Sequence, residues 1–487
     1  MSEANTVPGN TAADTAVERE ALAWIADPLG HFGMANTRIH SVPREEAEAI
    51  QLAAMNILLE RRRAEIPVLA KLADSQGIRE IHSLDDMAPL LFEHNVYKSY
   101  PSAVLSNLRF GQLTKWLDRL TPYDLSGVDV SGCRSIDQWL DTLFAETPLD
   151  VGTSSGTSGT MSFFPKTKAD YRLCFNGLRV QVLQEFGEEP GDSALHDKFH
   201  VMTPLYRDGY GSVGRLGPYC REVFAHGDDA FFHTAFSFKQ SCDLAFLGAR
   251  LRAAAAKGDV SKVDVPPALL ARREELERLQ ADAPAQQTAF IREMVTKLKG
   301  ERVIAIGISN MFYEVAKWGL AEGVSHVFGP GSRVMTGGGG KGVVLPEGWD
   351  KAVMEFFGVD RLLNNYGMTE MTSLIVGCDH GHYHLPPWVT LFVLDPETGK
   401  PFPRSGTQTG RASFFDMTHD GTWGGVVTGD RVIAHWDGDC PCGRSTVYLE
   451  SDIRRFSEIS GGDDKITCAA SPAAQAEALD YLNAFEM

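Results

Sequence analysis

Glycine and hydroxyl residues fill a short run at residues 152–160, which reads Gly-Thr-Ser-Ser-Gly-Thr-Ser-Gly-Thr. Small flexible residues let backbone N–H groups turn toward an anion, and neighbouring hydroxyl groups add further donors. The run therefore favours a loop that holds a polyphosphate. It is not a Walker loop, because no Gly-Lys-Ser/Thr follows the glycines at the required spacing. Taken alone, such a cluster is more commonly a flexible surface loop.

Two further polar motifs follow much later in the chain. Residues 365–370 read Asn-Tyr-Gly-Met-Thr-Glu, and residues 428–430 read Thr-Gly-Asp. Each has an ordinary structural alternative: Glu370 as a solvated carboxylate at a helix start, Tyr366 as a half-buried strand residue, and 428–430 as a turn. The occurrence of all three motifs in this order is what indicates a function.

Cysteine and histidine form a second group of candidate residues. Two thiolates two positions apart, with a distant cysteine and histidine, offer four soft ligands for tetrahedral zinc. The predicted ligands are Cys378, His384, Cys440 and Cys442, with His380 or His382 as substitutes. The usual Cys-x-x-Cys spacing is absent, so a reduced cluster without metal is the alternative.

In this order the motifs resemble those of the adenylate-forming superfamily. The resemblance is closer to phenylacetate-CoA ligases and to acyl-protein synthetases of the bacterial luciferase fatty-acid reductase type. Those families carry Ser-Ser-Gly-Thr-Thr-Gly, Tyr-Gly-Met-Thr-Glu, a Cys…His-x-Pro-x-Trp stretch and Cys-x-Cys-Gly-Arg. The matching stretches here are residues 154–159, 366–370, 378–388 and 440–444. The resemblance spans roughly residues 150–466 and is weak between about 190 and 330.

The resemblance implies an ATP-dependent ligase that activates a carboxylic acid as its acyl-adenylate and releases pyrophosphate. The acyl group then passes to a thiol, either a protein cysteine or coenzyme A. An acyl-accepting or reductase protein is the implied partner, and some members of these families carry a structural zinc site. Two alternatives stay open: an amide- or ester-forming ligase that uses the acyl-adenylate directly, and an inactive nucleotide-binding scaffold.

The resemblance also assigns roles to individual residues. Tyr366 contacts adenine, Thr369 the α-phosphate and Asp430 the ribose hydroxyls, while Glu370 coordinates Mg²⁺; Thr369 and Glu370 are thus the catalytic pair. The implied ATP-binding residues are Ser154, Ser155, Gly156, Thr157, Ser158, Gly159, Gly338, Tyr366, Gly367, Thr369 and Asp430. Gly338 belongs to four consecutive glycines, which are as well explained by a flexible connection as by close approach to a ligand.

The C-terminal part departs from the family pattern. A hinge-like stretch at residues 459–466 has Gly462 where arginine is expected, and only 21 residues follow Ile466 (487 − 466). These leave room for one short helix at 473–485 and not for the usual mobile domain. The acyl-protein synthetases carry an acyl-accepting cysteine near the C-terminus. By this resemblance Cys468, just after the hinge-like stretch, is the third predicted catalytic residue, although its local sequence Thr-Cys-Ala does not match the family closely. A small buried thiol is the alternative.

Composition restricts the class of protein. A net charge of −18 argues against general nucleic-acid binding, which needs a basic face. No apolar run approaches the roughly 18 residues that a membrane span requires. The polar, acidic N-terminus lacks the features of a signal peptide, and eight scattered cysteines do not form a disulfide framework. We therefore expect reduced thiols and a cytoplasmic protein.

Hydrophobic periodicity predicts an α/β fold. The resemblance implies that this fold is an adenylate-forming N-terminal core with two α/β sub-domains and a small β-rich sub-domain, with the C-terminal mobile domain largely absent. Residues 17–130 and 267–299 are predicted as mainly helical, 302–307 and 332–336 as buried strands, and 389–433 as short strands. The predicted divisions are a disordered tail (1–16), the α/β core (17–387), a small β-rich sub-domain (388–458) and a hinge with a short helix (459–487). Two assignments stay open: His233 as a contact to the substrate carboxylate or a structural histidine, and the Phe-rich stretch 224–238 as acyl pocket or core.

Overall fold

The computed structural model describes residues 12–154, 160–184, 193–211, 214–255, 258, 263, 265, 267–337 and 344–459. Several predicted site residues lie outside these ranges: Ser155 to Gly159, Gly338 and Cys468. The predicted C-terminal helix at 473–485 and most of the hinge-like stretch also lie outside the described residues.

Helices dominate the first third of the described chain and recur between the strands. The α-helices are α1 (Ala12–Ala26), α2 (Pro28–His31), α3 (Asn36–Ile39), α4 (Arg44–Glu65), α5 (Pro67–Gln76), α6 (Ser102–Ser106), α7 (Phe110–Leu117), α8 (Ile136–Glu146), α9 (Lys168–Gln184), α10 (Leu216–Phe224), α11 (Cys242–Ala255), α12 (Pro267–Ala271), α13 (Arg273–Lys297), α14 (Ser309–Ala321), α15 (Trp349–Phe357) and α16 (Phe456–Ile459). Short 3₁₀ helices cover Leu84–Leu90, His94–Lys98, Asp118–Leu120, Ser193–His196 and Asp229–Phe231.

The strands fall into two main sheets and one small pair. They are β1 (Phe92–Glu93), β2 (Gly152–Thr153), β3 (Phe163–Phe164), β4 (His200–Gly209), β5 (Phe232–Gln240), β6 (Val303–Ile308), β7 (Arg333–Gly337), β8 (Leu363–Tyr366), β9 (Ile375–Val376), β10 (Tyr383–His384), β11 (Val389–Leu394), β12 (Thr407–Asp416), β13 (Gly425–His435), β14 (Tyr448–Leu449) and β15 (Arg454–Arg455). The predicted α/β class is confirmed.

The N-terminal helices form where the apolar spacing predicted them. In α4, apolar residues recur every three or four positions, and Ile50, Ala54 and Leu58 are buried on one face. Helix α1 begins at Ala12, so the prediction of a disordered tail is wrong for residues 12–16. The helix is anchored from its other end, because Ala21 and Trp24 are buried in the core.

The first sheet has the strand order β5-β4-β6-β7-β8-β9 among the described residues. All neighbouring pairs are parallel except β8 and β9. Strand β6 is buried along its whole length, as expected for a parallel strand covered on both faces. Since parallel strands share one direction, the carboxyl ends of β4, β6, β7 and β8 meet at one edge of this sheet.

The second sheet has the order β10-β14-β13-β12-β11, and β1 and β15 also pair with β13. Most pairs are antiparallel, and the register of β12 on β13 shifts at residues 411–413. Strand β1 pairs parallel with β13, with Phe92 opposite Val426. The β-rich region predicted at 388–458 therefore includes strands from outside that range, while its role as a separate sub-domain remains a prediction.

The small pair β2–β3 flanks the glycine- and hydroxyl-rich run. Just before β2, the buried Asp150 carboxylate meets Arg215 at 2.8 Å and accepts a hydrogen bond from Tyr219 at 2.7 Å. These contacts fix the chain where the run begins. Within the described residues, every helix is too short or too polar to cross a bilayer.

Candidate functional site

The predicted motifs lie at the carboxyl edge of the first sheet. Strand β7 ends at Gly337, where the predicted glycine stretch begins, and β8 ends at Tyr366. A Cβ atom at Gly337 would collide with Asn365 Oδ1, so a larger residue at this position would require the Asn365 side chain to move. The carboxyl edge of a parallel sheet is where ligands bind in α/β folds.

The start of the glycine- and hydroxyl-rich run meets the second motif at this edge. The backbone N–H of Thr153 donates to the carbonyl of Tyr210, just beyond the end of β4, at 2.9 Å. A Cβ atom at Gly152 would lie 3.0 Å from Thr369 Cγ2 and 2.7 Å from the Tyr171 hydroxyl oxygen. The missing side chain at Gly152 thus lets the two motifs come into contact.

Ser154 closes the base of the loop. Its backbone N–H donates to the Ser162 carbonyl at 3.2 Å, and its hydroxyl oxygen accepts from the Ser162 N–H at 3.1 Å. Ser154 was predicted as an ATP-binding residue, and the structure shows its hydroxyl in use within the protein.

Tyr366 and Asp430 are joined directly. The Tyr366 hydroxyl donates to Asp430 Oδ2 at 2.9 Å. Burial and the nearby Asp430 charge raise the pKa of Tyr366, so the hydroxyl stays protonated and remains a donor. The Asp430 backbone N–H donates in turn to Thr428 Oγ1 at 3.0 Å. The sequence predicted both residues at one nucleotide but not the bond between them.

Glu370 is half-buried beside these residues. Burial raises the pKa of its carboxyl group and Asp430 adds to this, while the Lys166 ammonium opposes it. Within the described residues, no Lys, Arg or His nitrogen lies within the 4.0 Å of an ion pair to this carboxylate. A desolvated carboxylate of this kind favours a nearby cation, and its oxygens are the hard ligands that Mg²⁺ prefers. Glu370 therefore fits the predicted magnesium site.

The backbone that follows Glu370 is held by buried polar side chains. His419 Nε2 donates to the Glu370 carbonyl at 3.0 Å, because a carbonyl oxygen can only accept, and the Lys166 ammonium donates to the Met371 carbonyl. Asp416 accepts the N–H of Thr372 at 2.9 Å. Sequence reasoning missed Lys166, Asp416 and His419; the available signal was the polar run 416–420 directly after an apolar strand.

The four predicted zinc ligands lie together. The ligand atoms of Cys378, His384, Cys440 and Cys442 are all within 4.8 Å of one another. Cys378 Sγ lies 3.9 Å from Cys440 Sγ, and Cys442 Sγ lies 3.2 Å from His384 Nε2. Two sulfurs on a tetrahedral zinc with bonds of about 2.3 Å would be about 3.8 Å apart. The cluster therefore has the size and the donor set of a structural zinc site.

The surroundings of His384 suit it as a ligand. Its Nδ1 donates to the Thr446 carbonyl at 3.2 Å, which leaves Nε2 unprotonated toward Cys442. Burial, with the Arg444 charge, lowers the pKa of His384 to about 3, so the ring is neutral. His382, predicted as a substitute ligand, places Nδ1 3.2 Å from Cys440 Sγ but is not among the four clustered residues.

His233 and the phenylalanine-rich stretch take structural roles. His233 bonds to His200 through Nε2 and to Glu293 through Nδ1, both at 3.0 Å, near the amino end of β5. This end lies opposite the carboxyl edge, so His233 is a structural histidine. Phe224, Phe232 and Phe236 are buried in the core.

Comparison with known proteins gives only distant likenesses. No protein-family model and no curated protein matches this chain. An open conformation of 2-hydroxyisobutyryl-CoA ligase in complex with 2-HIB-AMP and CoA aligns at 12% identity with a TM-score of 0.46, over 86% of this chain and 71% of that chain. ATP-bound MatB from Rhodopseudomonas palustris aligns at 15% identity with a TM-score of 0.33, over 62% and 47% of the two chains. At these values the interpretation of the site depends on this chain's own residues.

Asp170 is a buried carboxylate that holds the segment around His419. It accepts backbone N–H groups from Thr167 at 2.8 Å, Asp420 at 2.8 Å and Gly421 at 3.1 Å, and its Oδ2 lies 3.5 Å from His419 Nδ1. Burial alone would raise its pKa, but the His419 ring and the N–H donors more than offset this and lower the pKa of Asp170.

We expect Asp170→Asn to lower the free energy of unfolding by about 1.5–3 kcal/mol at neutral pH, the usual value of hydrogen bonds to a charged group. A carboxyl group whose folded pKa is depressed stabilises the protein above its unfolded pKa of about 4, and this contribution is lost as pH falls through the folded pKa. The difference between wild type and variant should therefore be constant down to about pH 5 and shrink below it. Denaturant unfolding over a pH series measures it.

The matched control is Asp452→Asn, since Asp452 is itself 45% exposed and forms surface ion pairs with Arg454 at 2.6 Å and, more weakly, with the half-buried Arg431 at 3.9 Å. Its effect should stay within about 0.5 kcal/mol. An Asp170→Asn effect that is no larger than the control's, or that grows on acidification, contradicts the assignment.

Proposed function

We propose that this protein is an ATP-dependent ligase that activates a carboxylic acid as its acyl-adenylate. The observation that carries the proposal is the convergence of three distant motifs: Gly152 contacts Thr369, Glu370 follows it, and Tyr366 is bonded to Asp430. Three groups that are distant in sequence thus lie close together: the base of the polyphosphate-type loop, the metal-type carboxylate of Glu370 and the hydroxyl-binding carboxylate of Asp430. The 2-hydroxyisobutyryl-CoA ligase named above was solved with an acyl-adenylate and CoA, the chemistry proposed here.

In this reaction a carboxylate oxygen of the acid attacks the α-phosphorus of ATP, the bond from that phosphorus to the bridging oxygen breaks, and pyrophosphate leaves. No protein nucleophile is needed, so catalysis consists of positioning and of neutralising charge. The loop at 155–159 would hold the β- and γ-phosphates, and the Thr369 hydroxyl the α-phosphate. A Mg²⁺ ion at Glu370 would neutralise phosphate charge. Asp430 would accept the ribose hydroxyls, while Tyr366 would pack against adenine and hold Asp430 in place.

The proposal predicts pyrophosphate–ATP exchange that depends on an acid from a panel of aliphatic and aromatic carboxylates. Glu370→Gln should lower the exchange rate about 100-fold, because the metal loses a charged ligand. The same variant should not reduce the free energy of unfolding, because burial of Glu370 already disfavours its ionised form. Exchange assays and denaturant unfolding on the same preparations measure both effects.

Glu314→Gln is the matched control, since this glutamate is exposed on α14 and forms one exposed pair with Lys317. It should exchange like wild type. The absence of exchange with every class of acid contradicts the proposed function. Equal exchange rates in the Glu370 and Glu314 variants contradict the assigned role of Glu370.

The proposed acyl acceptor is a thiol, either Cys468 of this chain, a cysteine of a partner protein, or coenzyme A. The support for Cys468 comes from the sequence, since it lies outside the described residues. Cys468→Ala should retain pyrophosphate exchange and lose the covalently bound acyl group in a radiolabelled-acid assay. The control is Cys133→Ala, which removes a buried thiol. Full turnover with free coenzyme A in Cys468→Ala would instead select coenzyme A, and amide or ester products would select the direct ligase.

We further propose that Cys378, His384, Cys440 and Cys442 bind one zinc ion. The support is the tetrahedral size of the cluster and the orientation of His384 by the Thr446 carbonyl. Burial raises the pKa of the Cys440 thiol to about 12 in the metal-free protein. A bound cation would reverse this, since thiol ligands bind metals as thiolates.

We expect purified protein to contain about one zinc per chain and Cys440→Ser to lose it, with a fall in Tm of about 5–10 °C because structural zinc contributes folding energy. Elemental analysis and thermal unfolding measure the two effects. His380→Ala is the control, since this exposed histidine was a predicted substitute ligand but lies outside the cluster. A protein that is free of zinc when prepared without chelator, with unchanged Tm in Cys440→Ser, contradicts the site.

A further inference from the structure

Glu370 needs a fixed position to hold a metal, yet it lies on a backbone segment that leaves the end of β8. Two buried side chains donate hydrogen bonds to consecutive carbonyls of this segment. His419 Nε2 donates to the Glu370 carbonyl at 3.0 Å, and the Lys166 ammonium donates to the Met371 carbonyl. Both side chains are almost fully buried, with exposures of 4% for His419 and 3% for Lys166. Buried polar groups of this kind cost free energy unless they are hydrogen-bonded or paired, so these two contacts to the backbone offset part of that cost.

One carboxylate, that of Asp170, contacts His419 and also fixes the chain next to Lys166. Asp170 faces His419 Nδ1 and, at the start of α9, exchanges hydrogen bonds with Thr167: the Thr167 N–H donates to Asp170 at 2.8 Å, and the Asp170 N–H donates to the Thr167 hydroxyl at 3.0 Å. This reciprocal cap fixes the residue that directly follows Lys166. Lys166 also lies 5.0 Å over the centroid of the Tyr171 ring, one helical turn along α9.

The loop that carries His419 packs closely against the chain that carries Lys166. A Cβ atom at Gly421 would lie 1.7 Å from the Pro165 carbonyl oxygen, so the two backbones touch. Pro165 directly follows β3, the strand that closes the glycine- and hydroxyl-rich run. The hairpin β2–β3, the 419–421 loop and the Glu370 segment are therefore linked through Lys166, Asp170 and His419.

We infer that Lys166, Asp170 and His419, called here the brace, are positioning residues that set the Glu370 carboxylate for its metal in register with the phosphate loop. The inference rests on the proposed function, because it assigns the brace to that site. None of the three touches the reacting atoms. The brace acts through the Glu370 and Met371 carbonyls, which it holds, and through Pro165, which joins it to the hairpin.

The physical reason is the sensitivity of metal sites to groups that orient the ligands. Loss of such an orienting contact typically weakens metal binding 10–100-fold even though every ligand is retained. A ligand on a segment without regular structure has the most to lose, since its backbone has no helix or strand ladder to keep it in place.

The test compares His419→Ala, His419→Gln and Lys166→Met with wild type in the full chain. Glutamine supplies an N–H donor of similar reach to His419 Nε2, and methionine keeps the apolar stem of Lys166. His233→Gln is the matched control, because His233 is also buried with two hydrogen bonds but lies at the amino end of the sheet. The probe is Mn²⁺ with a non-hydrolysable ATP analogue, followed by electron paramagnetic resonance. The Tm and the Mg²⁺ dependence of pyrophosphate exchange are measured on the same samples.

We expect His419→Ala and Lys166→Met to raise the Mn²⁺ dissociation constant about tenfold or more and to raise the half-saturating Mg²⁺ concentration in parallel. His419→Gln should restore binding to within about threefold of wild type, and His233→Gln should match wild type whatever its Tm. A purely structural role would lower Tm without changing either metal readout. If His419→Ala does not fold, Lys166→Met and His419→Gln carry the comparison.

The inference is overturned if His419→Ala and Lys166→Met bind Mn²⁺ as tightly as His233→Gln does, whatever their Tm. Wild-type protein that binds no Mn²⁺–nucleotide overturns it as well. Wild-type protein that binds Mn²⁺–nucleotide but exchanges pyrophosphate with no acid refutes the proposed function alone, since the dissociation constants still show whether the brace positions Glu370.

Discussion

The site depends on the close approach of Gly152 to Thr369, which is possible because glycine has no side chain. At Gly152 the chain begins its loop rich in glycine and hydroxyl residues, and any larger residue would collide with Thr369 and Tyr171. A larger residue at Gly152 would therefore require the Thr369 methyl group and the Tyr171 hydroxyl group to move away from this contact. The buried ion pair between Asp150 and Arg215 lies directly upstream and holds the backbone in the position of this contact. Steric room and a fixed ion pair together bring the phosphate-type and metal-type groups to one edge.

The regular elements of this fold could be predicted because their signals are local. Strand β6 is a continuous apolar run and was predicted close to its actual bounds. Helix α4 repeats its apolar residues at helical spacing and lies within the stretch that was predicted as mainly helical. The pairing of β1 and β15 with β13 was not predicted, because two-residue strands carry no periodic pattern. Their partners are chosen by tertiary packing.

The candidate site divides in the same way. Cys378, His384, Cys440 and Cys442 were predicted together and lie together. The prediction was possible because several soft ligands within two short stretches are uncommon in a sequence, even without the usual Cys-x-x-Cys spacing. Lys166 and His419 were not predicted, because a buried lysine and a surface lysine are written with the same letter. The role of Lys166 and of His419 is defined by the backbone carbonyl to which each donates, and this partner is set by the whole fold. For His233 the sequence left a site role open, and the fold gives it a structural one. Its two hydrogen-bond partners, His200 and Glu293, lie on separate elements, so they could not be recognised from the sequence around His233.

Strand β1 gives the helical N-terminal part an unexpected place in the architecture. Phe92 and Glu93 cover the edge of β13 at Val426 and Val427, and Asp430 follows three residues later on the same strand. An uncovered strand edge at that point would offer free N–H and C=O groups to other chains. Strand β1 thus keeps this edge of β13 from pairing with another chain. A shortened chain that starts beyond β1 would leave the edge open to self-association next to Asp430.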